Sequence, residues 1–161
     1  MKPYIFVDLD ETLIHTYESW QKPTVDPVLV TVQDEIFKVS MRPGAKEFLA
    51  KLREIGEVRM LTIAIYDYAI KMNEVFDLGF DIGDIWAREH VRGGYTIDLK
   101  PADRVYLFDN LPVKQNRLKV NFLSPAVTNE MPTYIQVKEY LGDDLFPFDE
   151  REINRLIKKI T

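Results

Sequence analysis

Tyr4, Ile5, Phe6 and Val7 form an unbroken run of β-branched and aromatic side chains that stops abruptly at Asp8. Such a run suits a strand buried on both faces, the central strand of a parallel sheet, better than a half-exposed one. The pattern returns twice. Val58-Arg59-Met60-Leu61 ends in Thr62, and Arg104-Val105-Tyr106-Leu107-Phe108 ends in Asp109-Asn110. In an open parallel sheet these polar ends lie at one edge, where ligands bind. Asp8 and Asp10 stand two residues apart at the first of them, spaced so that an extended chain converges both on a single cation.

Between the strands the spacing turns helical. Arg42-Pro43-Gly44 opens a helix in which Phe48, Leu49, Leu52 and Ile55 share a face before Gly56 ends it. Ile65, Tyr68, Ala69, Met72, Val75 and Phe76 share a face of a second helix and are read as core. Strand, helix, strand in this order predicts an α/β, Rossmann-like, doubly wound parallel sheet. Thr16 to Pro27, polar and proline-bearing, is read as a loop. Val28–Val32 and Ile36–Met41 around Gln33-Asp34-Glu35 read as a hairpin insertion, about 28–41. Residues 77–99 read as an irregular insertion over the site, a minimal cap. Shorter strand patterns occupy Val120–Leu123 and Tyr134–Val137, and Asp149-Glu150-Arg151-Glu152 reads as a capping box before a helix with Ile153, Leu156, Ile157 and Ile160 inward. One domain over 1–161 is expected at this length.

The chain has no cysteine, which removes disulfides, thiolate metal sites and cysteine nucleophiles, and its two histidines do not suggest zinc. An oxygen-bound ion such as Mg²⁺ is the expected metal. A net charge of −5 argues against sequence-independent binding to long nucleic acid. No apolar run reaches membrane-spanning length and the first residues lack a signal-peptide pattern, so a soluble, intracellular, cytoplasmic protein without membrane attachment is expected.

The run Asp8-Leu9-Asp10-Glu11-Thr12-Leu13-Ile14-His15 resembles the first motif of the haloacid dehalogenase-like phosphatases, in the variant of the small C-terminal-domain phosphatases that act on phosphoserine. Phosphoryl transfer needs positioning, charge compensation and a proton donor for the leaving oxygen. On this reading Asp8 is the nucleophile and Asp10 the general acid and base. Met41-Arg42-Pro43-Gly44, Leu61-Thr62 with Tyr68-Ala69, and Leu107-Phe108-Asp109-Asn110-Leu111-Pro112 are similar to further stretches of that family in the same order. The resemblance implies Mg²⁺ bound by Asp8, the Asp10 backbone carbonyl and Asn110, with Asp109 supporting the metal site and Thr62 on the phosphate. Phosphoserine or phosphothreonine proteins are the implied substrates, with nucleotides, nucleic-acid ends and small phosphate esters as alternatives.

One motif departs from the pattern. Where the family places a lysine before Asp-Leu, this chain has Ile97, and Lys100 follows three positions later. Lys100 is the candidate phosphate-binding cation, with Arg88 and Arg92 in reserve. The basic run 113–119 is a solvated face or an attractor for anionic substrates. His15 is read as a packing or hydrogen-bonding residue. Two rivals belong to other classes: a receiver-like domain, which the position of the Asp-x-Asp pair on the first strand disfavours, and a catalytically silent phosphate-binding module.

Overall fold

The computed structural model describes residues 2–91, 96–100, 104–112, 119–122, 128–130 and 132–161. Its centre is a parallel sheet built on β1 (Tyr4–Val7), the run whose composition called for burial on both faces. β5 (Glu57–Leu61) flanks it on one side and β8 (Val105–Asp109) on the other, with Val7 level with Met60 and Phe108. β6 (Ile85–Trp86) extends the sheet beyond β5, and β11 (Thr133–Gln136) extends it beyond β8. All four pairings are parallel. The expected α/β architecture with a parallel central sheet is therefore present.

Alternation along β1 divides two cores. Ile5 and Val7 face the larger one, which holds the apolar faces of the α-helices among the described residues, α1 (Ala45–Ile55), α2 (Tyr66–Val75) and α3 (Glu150–Ile157). Tyr4 and Phe6 face the smaller one, where the described cover is not a helix but β7 (Thr96–Leu99), through Ile97 and Leu99. β7 pairs with β9 (Lys119–Phe122), which pairs with β10 (Thr128–Glu130). Each buried side chain of β1 removes apolar surface worth about 1.5–3 kcal/mol, and all four are at most 8% exposed.

The hairpin forms, with β3 (Val28–Val32) antiparallel to β4 (Glu35–Met41), but it is joined by a third strand. β2 (Ile14–Tyr17) pairs antiparallel along the other edge of β4, so the first part of the loop expected from Thr16 is strand. Ile-His-Thr-Tyr is too short and mixed to announce a strand; the pairing with Ser40 and Val39 supplies what the sequence lacks. The excursion at 77–99 contributes strands too, since β6 joins the central sheet and β7 covers its second face. Only half of the expected capping box forms at α3. Asp149 accepts from the Glu152 N–H at 2.8 Å, but the Glu152 carboxylate turns to Arg155, at 2.6 and 2.9 Å.

Gly44 precedes α1 with φ of +83°, and a Cβ there would lie 1.9 Å from the Phe148 carbonyl oxygen. Glycine is required by both the left-handed backbone and the close approach.

Candidate active site

β1, β5 and β8 end at one edge of the sheet, where Asp8, Asp109 and Asn110 come into contact and Thr62 follows the end of β5. The Asp8 N–H donates to Phe108 O at 2.9 Å, which fixes the residue against the end of β8. A tight turn follows, in which Leu9 O accepts from the N–H groups of Leu13 and Ile14, and Glu11 adopts φ of +61°. The turn folds Thr12 back so that its hydroxyl donates to Asp8 Oδ2 at 3.0 Å. Asn110 closes the other side. With its amide nitrogen facing the carboxylates it donates to Asp8 Oδ2 at 2.9 Å and to Asp109 Oδ1 at 3.0 Å.

This crowding has an electrostatic result. Burial, then the charges of Asp109 and Asp10, push the Asp8 carboxyl well above its ordinary value. Burial also raises Asp10, against the opposing pull of the Tyr68 hydrogen bond and of His15. Glu11 is raised by burial, with His15 acting against it. Burial and hydrogen bonding suit the structural role read for His15: its Nδ1 meets Glu11 Oε2 at 2.5 Å and its Nε2 meets Gln21 Oε1 at 3.3 Å.

Thr62 follows β5 and is buried. Its N–H donates to Trp86 O at 2.9 Å and its Oγ1 accepts from the Ala64 N–H at 3.1 Å, so the hydroxyl proton is available to an anion at the sheet edge.

Lys100 directly follows β7 and is exposed. Among the described residues no hydrogen bond or ion pair joins it to Asp8, Asp10 or Thr62. Arg88 lines a pocket of about 210 Å³ together with Asp10, Tyr68, Val32, Phe37 and Ile65. Its Nε donates to Ile63 O at 2.7 Å, which anchors it beside the Thr62 turn. Arg92 and residues 113–118 of the basic run lie outside the described residues.

Two contributors were not legible as site residues. The Tyr68 hydroxyl donates to Asp10 Oδ1 at 2.8 Å and receives the Thr16 hydroxyl proton at 2.6 Å. Burial and the Asp10 charge push its phenol far above the usual range, so it remains a donor. The reading of Tyr68 as core holds for its ring, while its hydroxyl belongs to the site; a buried tyrosine needs a partner for its O–H, and that is the signal sequence offered. Arg42, 1% exposed, spans the back of the turn. It donates from Nη1 to Thr12 O at 3.2 Å and Lys138 O at 2.7 Å, and from Nε to Phe146 O at 2.8 Å.

The donor set fits a hard divalent ion. Among the described residues no three histidine, cysteine, aspartate or glutamate side chains gather as a metal site. Asp8, Asp109 and the Asn110 side chain do gather, the amide needing only to turn its oxygen inward to serve as a ligand, and Mg²⁺ typically takes one or two carboxylates and keeps several waters. The charge of Asp109 bears directly on Asp8, and only the neutral donors of Thr12 and Asn110 stand against it, so a cation bound at this edge would offset the repulsion.

A parallel sheet that delivers an Asp-x-Asp pair, a threonine and an Asp-Asn pair to one edge defines a haloacid dehalogenase-like α/β phosphatase fold. The family model of NLI interacting factor-like phosphatases matches residues 3–152, and the chain belongs to that family. It is 27% identical over 120 residues to Phosphatase PSR1 of Saccharomyces cerevisiae, covering 69% of this chain and 28% of that protein. It is 28% identical over 121 residues to an uncharacterized protein of Schizosaccharomyces pombe, covering 69% of this chain and 37% of the relative. The chain thus spans well under half the length of either. Two structures of the RNA polymerase II CTD phosphatase Fcp1, one of them a variant of the fission yeast protein, share the fold at 18% identity. One, bound to beryllium fluoride, superposes with a TM-score of 0.60 over 97% of this chain and 49% of Fcp1. The other gives 0.61 over 96% and 49%.

No helix among the described residues is long and apolar enough to cross a membrane.

Proposed function

We propose that residues 1–161 act as one Mg²⁺-dependent phosphomonoester hydrolase domain working through an aspartyl-phosphate at Asp8, with phosphoserine or phosphothreonine in protein as the substrate. The observation that carries this reading is the pairing of Asp8 with Asp10, two half-buried carboxylates at one strand end held in different hydrogen-bond settings. Pairs of carboxyls in different environments divide nucleophilic from acid–base work.

Asp8, oriented by Thr12, attacks phosphorus, and the bond to the ester oxygen breaks as Asp10 gives it a proton. Asp10 then takes a proton from water, which attacks the acyl phosphate and releases phosphate and the Asp8 carboxylate. Thr62 and one cation, Lys100 or Arg88, hold the phosphate oxygens. Asp8, Asp109, Asn110 and the Asp10 carbonyl would hold Mg²⁺, whose charge offsets repulsion between these carboxylates and the phosphate dianion.

The pocket beside Asp10 supports a peptide over a small charged metabolite. Val32, Phe37 and Ile65 give it apolar walls on the leaving-group side, suited to a side chain next to the phosphorylated residue. The naming of Fcp1 as a CTD phosphatase points the same way.

The test is phosphate release from an aryl phosphate and from phosphoserine peptides, with Mg²⁺ or EDTA, for wild type, Asp8→Asn and Asp10→Asn. Metal-dependent turnover abolished in both variants supports the reading. Folded wild type that binds phosphopeptide without turnover would instead identify a silent binding module.

A further inference from the structure

On the far side of Arg42 from the catalytic turn, the surface changes sign. A groove of about 910 Å³ lies between α3 and the chain that follows β11, and five cationic residues line it against three acidic ones. Two of those acids are already committed. Asp149 caps α3, and Glu152 is held by Arg155 through two hydrogen bonds. Among the described residues no carboxylate lies within 4 Å of Lys138, Arg151 or Lys158, although the charge of Lys138 reaches Glu152, and Lys138 lies over the Phe146 ring with Nζ 4.7 Å from its centroid.

Arg42 forms part of the wall and is an unusual component of it. Its Nε and Nη1 are spent on three carbonyl oxygens, and no described residue accepts from Nη2. A donor on a guanidinium that is 1% exposed, bordering a cationic groove, needs an acceptor that the described residues do not supply. The same groove presents apolar surface, with Leu145 68% exposed and Phe146 39% exposed.

We propose that this groove is a docking site for an acidic segment of a partner protein, an extended peptide with carboxylates against Arg42 Nη2, Lys138 and Lys158 and one apolar side chain on Leu145 and Phe146. Charge complementarity selects the occupant: the chain carries −5 overall, and its catalytic edge gathers Asp8, Asp10, Glu11 and Asp109, so an acidic peptide is repelled there and attracted here. Nucleic acid suits the groove less well. Asp149 and Glu150 interrupt its cations, where a phosphate backbone would need an unbroken run.

The site adjoins the catalytic turn without belonging to it. Arg42 Nη1 reaches Thr12 O, and the Thr12 hydroxyl reaches Asp8, so a ligand on Nη2 bears on the same guanidinium that backs the nucleophile.

The test is direct binding in EDTA, so its result does not depend on phosphatase activity. Fluorescence anisotropy of the full chain is followed with a labelled peptide in which pairs of glutamates flank one leucine. Saturable binding is expected, weakened about tenfold or more by the double variant Lys138→Glu with Lys158→Glu and by added salt. Both side chains are exposed and the Lys138 carbonyl that serves Arg42 is retained, so the fold should be kept, with only a small drop in the thermal midpoint from the lost Lys138 stacking on Phe146. Amide shifts in labelled wild-type protein should cluster in 138–158. Equal affinity of the double variant, equal binding of a glutamine-for-glutamate peptide, tighter binding of a single-stranded oligonucleotide, or shifts confined to the catalytic edge would each overturn the proposal.

Discussion

The phenol of Tyr68 donates a 2.8 Å hydrogen bond to Oδ1 of Asp10, across 58 residues of sequence. Thr16 donates in turn to Tyr68, which leaves the phenol oxygen one proton to give and one carboxylate to receive it. Asp10 is thereby held in a single orientation, with its second oxygen left to exchange a proton.

Tyr68→Phe keeps the ring against Phe37, whose edge-on packing at 5.7 Å does not need the hydroxyl. Folding should be nearly unchanged. If Asp10 is the general acid, turnover of an alkyl phosphate such as phosphoserine should fall about 10- to 100-fold, part of the range that positioned acid–base groups supply. An aryl phosphate with a good leaving group needs less protonation and should lose much less in the step that forms the acyl phosphate. Equal losses on both substrates in single-turnover measurements would remove Tyr68 from this role.

Arg42→Met retains much of the volume and removes the donors. Three carbonyl oxygens, on Thr12, Lys138 and Phe146, would lose their partner, at about 1–3 kcal/mol for each one left buried. A drop of about 3 kcal/mol or more is expected in urea unfolding. The stacking of the guanidinium on Phe148 at 3.9 Å adds to that loss. A change below 1 kcal/mol, roughly what a surface substitution gives, would show that the bridge is dispensable.

Asp8, Asp10 and Glu11 all have their folded values raised, chiefly by burial. The folded state therefore binds more protons than the unfolded chain above the ordinary carboxylate range, near pH 4. For these groups stability falls as pH rises from there through the raised values, the reverse of a salt-bridged carboxylate. In EDTA, thermal midpoints should decline over that window, and Asp8→Asn should flatten the decline. At neutral pH the variant should melt higher by several degrees, about 2–4 °C for each kcal/mol of relieved repulsion. Mg²⁺ should raise the wild type and barely move the variant. Parallel pH curves for the two proteins would refute this account of Asp8.

Gly44→Ala should be among the costliest small substitutions in the chain. It adds a methyl group where the backbone is left-handed and the Phe148 carbonyl lies 1.9 Å away, so α1 and the turn before α3 must separate. A loss of about 3 kcal/mol or more is expected, beyond the usual range for a point change. An unshifted denaturation midpoint would mean that the two segments do not meet.

Much of this was written locally in the chain. The buried strands followed from runs such as Tyr4–Val7, and their shared edge followed from the polar residues that end them, because a parallel sheet leaves little choice about where those ends lie. The helical faces of Phe48, Leu49 and Leu52, and of Ile153 and Leu156, were equally plain, since a period of 3.6 is a local property. Asp8, Asp10, Thr62, Asp109 and Asn110 could therefore be named before any coordinates. What tertiary structure decided was every relationship whose partners are distant in sequence. β2 became a strand because β4 pairs with it, the second face of the sheet is covered by β7, and Tyr68 reaches Asp10 only because α2 packs beside the first turn. Lys100 and Arg88 make the same point from the other side. Their charge is legible in sequence, but which one faces the phosphate depends on how the chain between them folds; Arg88 lines a pocket with Asp10. Composition and periodicity specify which surfaces must be buried; a hydrogen bond between remote side chains needs angles and distances that only the packed chain fixes.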